Sequence, residues 1–449
     1  MMKRTLISAF LLFNLILPAI SQDCLPDGIE FTTQETINSF QTDYPGCTTI
    51  EGDVTISGVN ITNLNGLNVL TSIQGFFIIE DNDSLYYLEG LNGITEIGKY
   101  LIIKDNNELK NLNGLSGLTS IGEYLNIRNN DRLDNLAGLN NLTAVGRFLL
   151  IENNDRMNNL QGLNNLSSIG ESLKINSNYS LTTLTGIESI TSVQTDLSVN
   201  FNFSLTSLSG LNNLGYVHGN LSIEGNNVLE SLQPLQNLTF IGGSLTIDYC
   251  DNLTDLSGLN AISEIGKNLE IHNNSHIELL TGLDNLDTLG FRLTIANNNL
   301  LKSIAVLENI KAGSIQELLI FDNDSLSYCS ISAICYLLNI PTGPIDIHGN
   351  NDGCRTYEEV DAICPFSVDE NEASNGISVS PNPASDFITI SLLDRTPIKF
   401  ISIYNIFGQQ MINDASGNNT LDISHLQQGM YVLMVQSQSY SFRTMLLIE

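Results

Sequence analysis

Residues 121–133 read Ile121-Gly122-Glu123-Tyr124-Leu125-Asn126-Ile127-Arg128-Asn129-Asn130-Asp131-Arg132-Leu133. Leu125 and Ile127 alternate with polar or outward-facing residues, the period-two pattern of a short strand. Asn130 stands where that strand must end. Leu133, Leu136, Leu139, Leu142 and Val145 then follow at intervals of three. Gly138 lies inside that run and disfavours a long helix, so the stretch predicts tight arcs and short strands around an apolar core.

The pattern repeats every 24 residues. Glycine recurs at 66, 90, 114, 138, 162, 186, 210, 258 and 282, interrupted only by Pro234. Leu recurs from Leu88 through Leu136 to Leu280, and in a second register from Leu101 through Leu125 to Leu293. A third series is Asn82, Asn106, Asn130, Asn154, Asn178, Asn202, Asn226, Asn274 and Asn298, broken only at Cys250. A fixed period of this length, sustained this far, means a solenoid. Stacking brings the strands together as a parallel sheet at about 4.8 Å. Strand centres run from Val54 and Phe77 through Leu293 to Leu318 and Ile345, giving about thirteen coils and a rod of roughly 60 Å. The Asn amide has two donors and an acceptor, enough to satisfy turn backbone and the next Asn along. That ladder accounts for part of the 55 Asn in the chain. Cys250, in a ladder position, is expected to be a buried and inert substitute.

The 449 residues include 18 Lys and Arg against 49 Asp and Glu, a formal charge of −31. Phosphate backbones repel such a chain, which excludes nucleic acid as a partner. Residues 1–21 read as a secretory signal peptide: Lys3 and Arg4, an apolar run from Leu6 to Ile20, and Ala19-Ile20-Ser21 as the cleavage site. No other segment has the composition of a membrane span. In an exported chain, Cys24 and Cys47 before the repeats and Cys329, Cys335, Cys354 and Cys364 after them predict disulfides that staple the ends. Cys24–Cys47 is the first pair, whereas the last four cysteines leave three connectivities open. Solenoid ends need caps. Phe31–Phe40 predicts an amphipathic cap helix with Thr33 at its N-cap, and residues 329–364 predict the other cap.

The residues that point outward beside the inward Leu and Ile form columns along the rod. One column reads Phe76, Tyr100, Tyr124, Phe148, then Ser172, Asp196, Asn220, Ser244. The next reads Ile78, Ile102, Asn126, Leu150, then Lys174, Ser198, Ser222, Thr246. An apolar stripe of this size is a candidate ligand surface, formed by Phe76, Ile78, Tyr100, Ile102, Tyr124, Phe148 and Leu150. Charges of alternating sign flank it, Lys99, Glu123, Arg147 and Glu171 on one side and Glu80, Lys104, Arg128 and Glu152 on the other, and are expected to pair between coils. The five histidines, His218, His272, His276, His348 and His425, are scattered, with no repeating acid or Cys partner. The chain is therefore expected not to be an enzyme, the enzymatic competitor being a β-helix polysaccharide lyase. No cofactor is implied. Ca²⁺ is the one candidate ion, at oxygen-rich loops such as Glu80–Ser84, Arg128–Asp131 and Phe321–Ser325.

Cys24, Phe31, Gln34, Phe40 and the run Tyr44-Pro45-Gly46-Cys47 to Ile56 resemble the opening of receptor L-domains, and the repeating Leu-x-Gly-Leu and Ile-Gly-x-x-Leu-x-Ile-x-x-Asn is similar to their coils. The resemblance covers roughly residues 24–364. It implies a right-handed solenoid of the β-helix or leucine-rich type, used in extracellular binding of a glycan or protein. This chain departs from paired L-domains in forming one long array without a Cys-rich module. Near the C-terminus, Ser380-Pro381-Asn382-Pro383-Ala384-Ser385-Asp386, Ile403-Tyr404-Asn405-Ile406-Phe407-Gly408-Gln409 and Leu426-Gln427-Gln428-Gly429-Met430-Tyr431-Val432 resemble the C-terminal sorting domain of type IX secretion. That resemblance implies a small β-sandwich read by the secretion machinery at the bacterial outer membrane, although the ending Met445-Leu446-Leu447-Ile448-Glu449 lacks the usual bases. Alternation from Phe387 to Leu392 and from Met430 to Val435 independently supports strands. The expected fold is mainly β. Its expected order is signal peptide 1–21, cap and first coil 22–58, repeats 59–328, Cys-containing cap 329–364, linker 365–375 and sorting domain 376–449. The expected role is adhesion or recognition at the cell surface, the alternative being a structural matrix component without a ligand.

Overall fold

The computed structural model describes residues 22–364, 377–392, 397–405, 410–437 and 441–448. The signal peptide and the linker predicted from sequence lie outside these residues, as does the stretch 406–409 of the second sorting motif. The chain divides into two units at Cys364/Pro365.

The first unit is a parallel β-solenoid. One coil shows how it is made. The strand Leu125–Arg128 pairs in register with Leu101–Lys104 on one side and Leu149–Glu152 on the other. Beyond the Asn rung, the N–H of Leu133 bonds back to Asn130 O, Leu139 to Leu136 O and Leu142 to Leu139 O, at 2.9–3.1 Å. These three-residue turns bring a Leu inward at each corner, which is why the apolar spacing there is three. A two-residue strand such as Ala144–Val145 then closes the coil. Leu125, Ile127, Leu133, Leu136, Leu139, Leu142 and Val145 are all fully or almost fully buried.

The long strands form one sheet of fourteen, from Ile29–Phe31 to Ile345–His348. Thirteen of them are the strands expected from Val54 to Ile345, and one more is added. The strand that the repeat did not announce is Ile29–Phe31, which pairs with Val54–Ile56 inside the N-terminal cap. The short strands form a seven-stranded and a five-stranded sheet, which part between Ser168–Ile169 and Ser192–Val193.

The buried rungs hold the coils in register. Asn130 Nδ2 donates to Ile103 O and Arg128 O at 2.9 Å and to Asn154 Oδ1 at 3.2 Å. Its backbone N–H also donates to Asn154 Oδ1, at 3.3 Å. The ladder continues past Asn298 to Asn323 and Asn350, spaced 25 and 27 residues on. The residue before each rung is left-handed: Asp81, Asp105, Asn129, Asn153, Asn273, Asn297 and Asp322 have φ between +52° and +57°. Asn, Asp and Gly tolerate that region best, so this column is a second cause of the Asn surplus and occupies acids of the loops considered for Ca²⁺.

Both caps carry helices. Gln34–Asp43 starts at Thr33, whose hydroxyl accepts from Thr36 N–H at 3.3 Å, and Phe40 packs edge-on to Phe31. Helices Ser332–Asn339 and Tyr357–Ile363 close the other end. The disulfides are Cys24–Cys47, Cys329–Cys354 and Cys335–Cys364, which settles the open connectivity.

The second unit is antiparallel. A three-stranded sheet (Ile377–Ser380, Phe387–Leu392, Thr420–Asp422) and a four-stranded sheet (Ile398–Asn405, Gln410–Asp414, Gly429–Ser437, Ser441–Ile448) share a core that includes Ile388, Ile390, Ile401, Ile403, Leu433, Val435 and Leu446. The motif around Asn382 docks on the last strand: Leu447 N–H donates to Asn382 Oδ1, and Ala384 N–H to Leu447 O, both at 2.8 Å.

The periodic glycines are steric requirements. Gly138 has φ +115°, and a Cβ there would stand 1.9 Å from Leu112 O. Gly138→Ala is expected to destabilise the solenoid by roughly 3 kcal/mol in urea unfolding. Gly215→Ala, with no atom nearer than 3.7 Å to the added Cβ, is expected to be close to neutral.

Candidate functional site

The candidate surface is the outer face of the fourteen-stranded sheet. Strand register places Ile78, Ile102, Asn126, Leu150 and Lys174 side by side. One position before each strand, Phe76, Tyr100, Tyr124 and Phe148 form a continuous stack with centroids 5.0, 4.5 and 4.4 Å apart and planes within 10°. The structure thus brings together all seven residues singled out from sequence, and each is half-buried. Ring faces are turned to neighbouring rings, so edges and hydroxyls point to solvent. Burial raises the pKa of both tyrosines; Asp53 adds to this for Tyr100, and the two hydroxyls hydrogen-bond each other.

Asn126 interrupts the aliphatic column at its centre. Its Oδ1, like Nε of Arg128 on the same strand, is buried without a hydrogen-bond partner. The flanking charges pair less regularly than expected. Lys104 meets Glu80 at 2.6 Å and Arg147 meets Glu171 at 3.0 Å. Lys99 instead reaches Asp53 at 3.2 Å, and among the described residues Arg128 forms no ion pair with Glu152. Exposed pairs of this kind contribute about 0–1 kcal/mol each.

The polar half of the sheet spends most of its hydrogen bonds on itself, although Asn268 Oδ1, one coil beyond Ser244, is buried without a partner. Asp196 Oδ1 accepts from the backbone and side chain of Asn220, and Asn220 Oδ1 from Ser244 N–H, all at 2.9 Å. Asn176 and Asn200 accept from Ser198 and Ser222 in the adjoining coils. Further on, His272 Nδ1 lies 2.9 Å from Asp248 Oδ1, and this hydrogen bond raises the His272 pKa against the opposing effect of burial. His276 bonds Asp251 O at 2.7 Å. Among the described residues no group of three or more His, Cys, Asp or Glu is arranged to hold a metal ion.

One exposed aromatic group escaped the sequence reading. Tyr179 and Phe203 follow rungs Asn178 and Asn202 and stack at 5.4 Å, while Phe201 and Tyr249 precede rungs, at φ +58° and +49°. The signal was available: the left-handed column is otherwise Asp, Asn, Ser or Gly from Asp81 to Gly349.

Residues 378–449 match the family of the secretion system C-terminal sorting domain. The chain ends in a type IX secretion sorting domain. The protein is accordingly secreted or held at the outer-membrane surface of a bacterium, and its sorting domain implies contact with the secretion machinery. Among the described residues no helix is long and apolar enough to cross a membrane. No curated protein matches the chain.

Cys250 sits in the ladder. Burial pushes its thiol pKa up to about 12, so the group is a neutral thiol and not a nucleophile. Its sulfur lies 3.5 Å from Ile223 O and Asp248 O, and the amide of the preceding rung, Asn226, donates only to Val199 O. Cys250→Asn restores an oxygen acceptor to Asn226 and is expected to stabilise the solenoid by about 1 kcal/mol in urea unfolding.

Proposed function

We propose that the solenoid is a binding module, exported by type IX secretion, that recognises an extracellular protein or glycan through the stripe from Phe76 to Phe148, and that it is not an enzyme. The observation that carries this reading is the division of one regular sheet face into an apolar half and a polar half. The polar half pairs Asp196, Asn220 and Ser244 with one another, and Asn176 and Asn200 with Ser198 and Ser222. The apolar half keeps seven aromatic and aliphatic side chains half-exposed. Core packing gives no reason for that difference, because the inward residues are Leu and Ile in both halves apart from Phe77 and Val199. Exposed flat apolar patches of this kind mark interfaces, and the resemblance of residues 24–364 to receptor L-domains supports extracellular recognition.

The mutual stacking of the rings favours a second reading, in which the stripe stiffens a structural surface component. The two separate cleanly. Replacing Tyr100 and Tyr124 together by Ser is expected to weaken capture of ligands from a glycan array and a surface-protein pull-down at least about tenfold. Cooperative unfolding should be retained. Unchanged capture, or none by the parent protein, sinks the recognition reading in favour of the structural one. For export, removing residues 376–449 is expected to leave the protein in the periplasm; continued surface display contradicts the assigned role of the sorting domain.

A further inference from the structure

We propose that the strand-exit edge of the coils spanning residues 177–251 carries a second binding site, an aromatic platform for an uncharged polysaccharide. The starting point is the left-handed column before the Asn rungs. A large side chain at positive φ is strained, and such strain persists where something other than folding selects it. At ten of the twelve positions from Asp81 to Gly349 the column holds Asp, Asn, Ser or Gly. At the other two it holds Phe201 and Tyr249. Burial does not compensate for these choices, since Phe201 is 44% and Tyr249 51% exposed. Phe201 lies over the bare backbone of Gly225 in the next coil, where an added Cβ would meet its Cδ1 at 2.4 Å.

Two further rings extend the group. Tyr179 and Phe203 are 46% and 48% exposed and stacked within 10°. Phe201 and Phe203 flank the same buried Asn202, so four rings occupy both sides of one edge. The occupant follows from shape and charge. Between Lys174 and Lys267 the chain contains no Lys or Arg, whereas residues 177–251 hold the acids Glu188, Asp196, Glu224, Glu230, Asp248 and Asp251. An anionic polymer is therefore repelled. The rings lie in neighbouring coils along the solenoid, an arrangement that follows an extended polymer, whereas a protein partner covers a patch of about 800 Å². Rings offer apolar contact to the C–H faces of sugars, and Asn227 and Ser275, both hydrogen-bonded to Asp251, supply polar groups beside them for hydroxyls.

Native affinity electrophoresis of residues 22–449 tests this, with soluble β-glucan, mannan and xylan as uncharged probes and alginate as the anionic one. At least one uncharged polymer should retard the protein, and alginate should not. The paired substitution Phe201→Asn and Tyr249→Asn should weaken that retardation at least tenfold. It should also raise the thermal midpoint, because Asn accepts the left-handed backbone. The Tyr100→Ser, Tyr124→Ser variant should be retarded like the parent, which separates this site from the stripe. Retardation by alginate alone, or by no polymer, overturns the proposal. So does undiminished binding by the Asn variant, and a lower thermal midpoint would identify the rings as structural.

Discussion

A buried asparagine that must reach its counterpart in the next coil is the constraint on which the rest of the solenoid depends. Its Oδ1 receives the backbone and side-chain donors of one neighbour, while its own Nδ2 serves carbonyls in two coils. A rung out of register would leave several polar groups unpaired in a dry core, at about 1–3 kcal/mol each. The repeat length is therefore fixed where the rungs are, and slack is admitted only in the arcs. The last coils show this directly: rungs Asn298, Asn323 and Asn350 are 25 and 27 residues apart, yet Asn298 Nδ2 still reaches Asn323 Oδ1 at 3.3 Å and Asn323 Nδ2 reaches Asn350 Oδ1 at 2.9 Å. Cys250 marks the tolerance of the system from the other side. One rung can be a thiol because the Cys250 backbone N–H still reaches Asn274 Oδ1, at 2.9 Å.

Once seven core positions, a rung, the left-handed residue before it and a close-packed glycine are assigned, the fold asks little of the rest of each coil. Outward columns are free to vary, and any pattern in them needs another cause. The sheet face varies abruptly, from Phe148 to Ser172 and from Leu150 to Lys174, between coils whose inward residues are equivalent. The edge column varies as abruptly, from Ser177 to Phe201 and from Gly225 to Tyr249.

Much of this fold could be read directly because a 24-residue period projects each structural role onto one column of sequence. The core, the ladder from Asn82 to Asn298 and the apolar stripe were visible in that way. Features outside the period were not. Asn323 and Asn350 fall out of phase, and Ile29–Phe31 belongs to a cap that occurs once. The cap helices, not the spacing of cysteines, decide that Cys329 meets Cys354 and Cys335 meets Cys364. The path of Lys99 to Asp53 depends on a long side chain reaching past its neighbour, which no column records. Phe201 and Tyr249 were missed for a different reason. The rungs explain only part of the Asn surplus, and the conformational demand on the residue before each rung, which explains more of it, is set by a backbone angle and not by apolar spacing.

The solenoid pitch also explains why its two aromatic groups differ in chemistry. Coils repeat at about 4.8 Å, close to the separation of stacked aromatic rings. Any column that is aromatic in successive coils must stack, as Phe76, Tyr100, Tyr124 and Phe148 do, and stacking hides the ring faces. Such a stripe offers a flat surface of edges and aliphatic groups, suited to a partner that covers it broadly. The edge column is aromatic only in alternate coils, with Gly225 between Phe201 and Tyr249, so neither ring has a partner above or below in its own column. Phe201 lies on the backbone of Gly225 instead. Ring surface that a continuous column would hide is left open there, and it is the spacing of aromatic residues along the period, not their number, that sets which ligands each surface can meet.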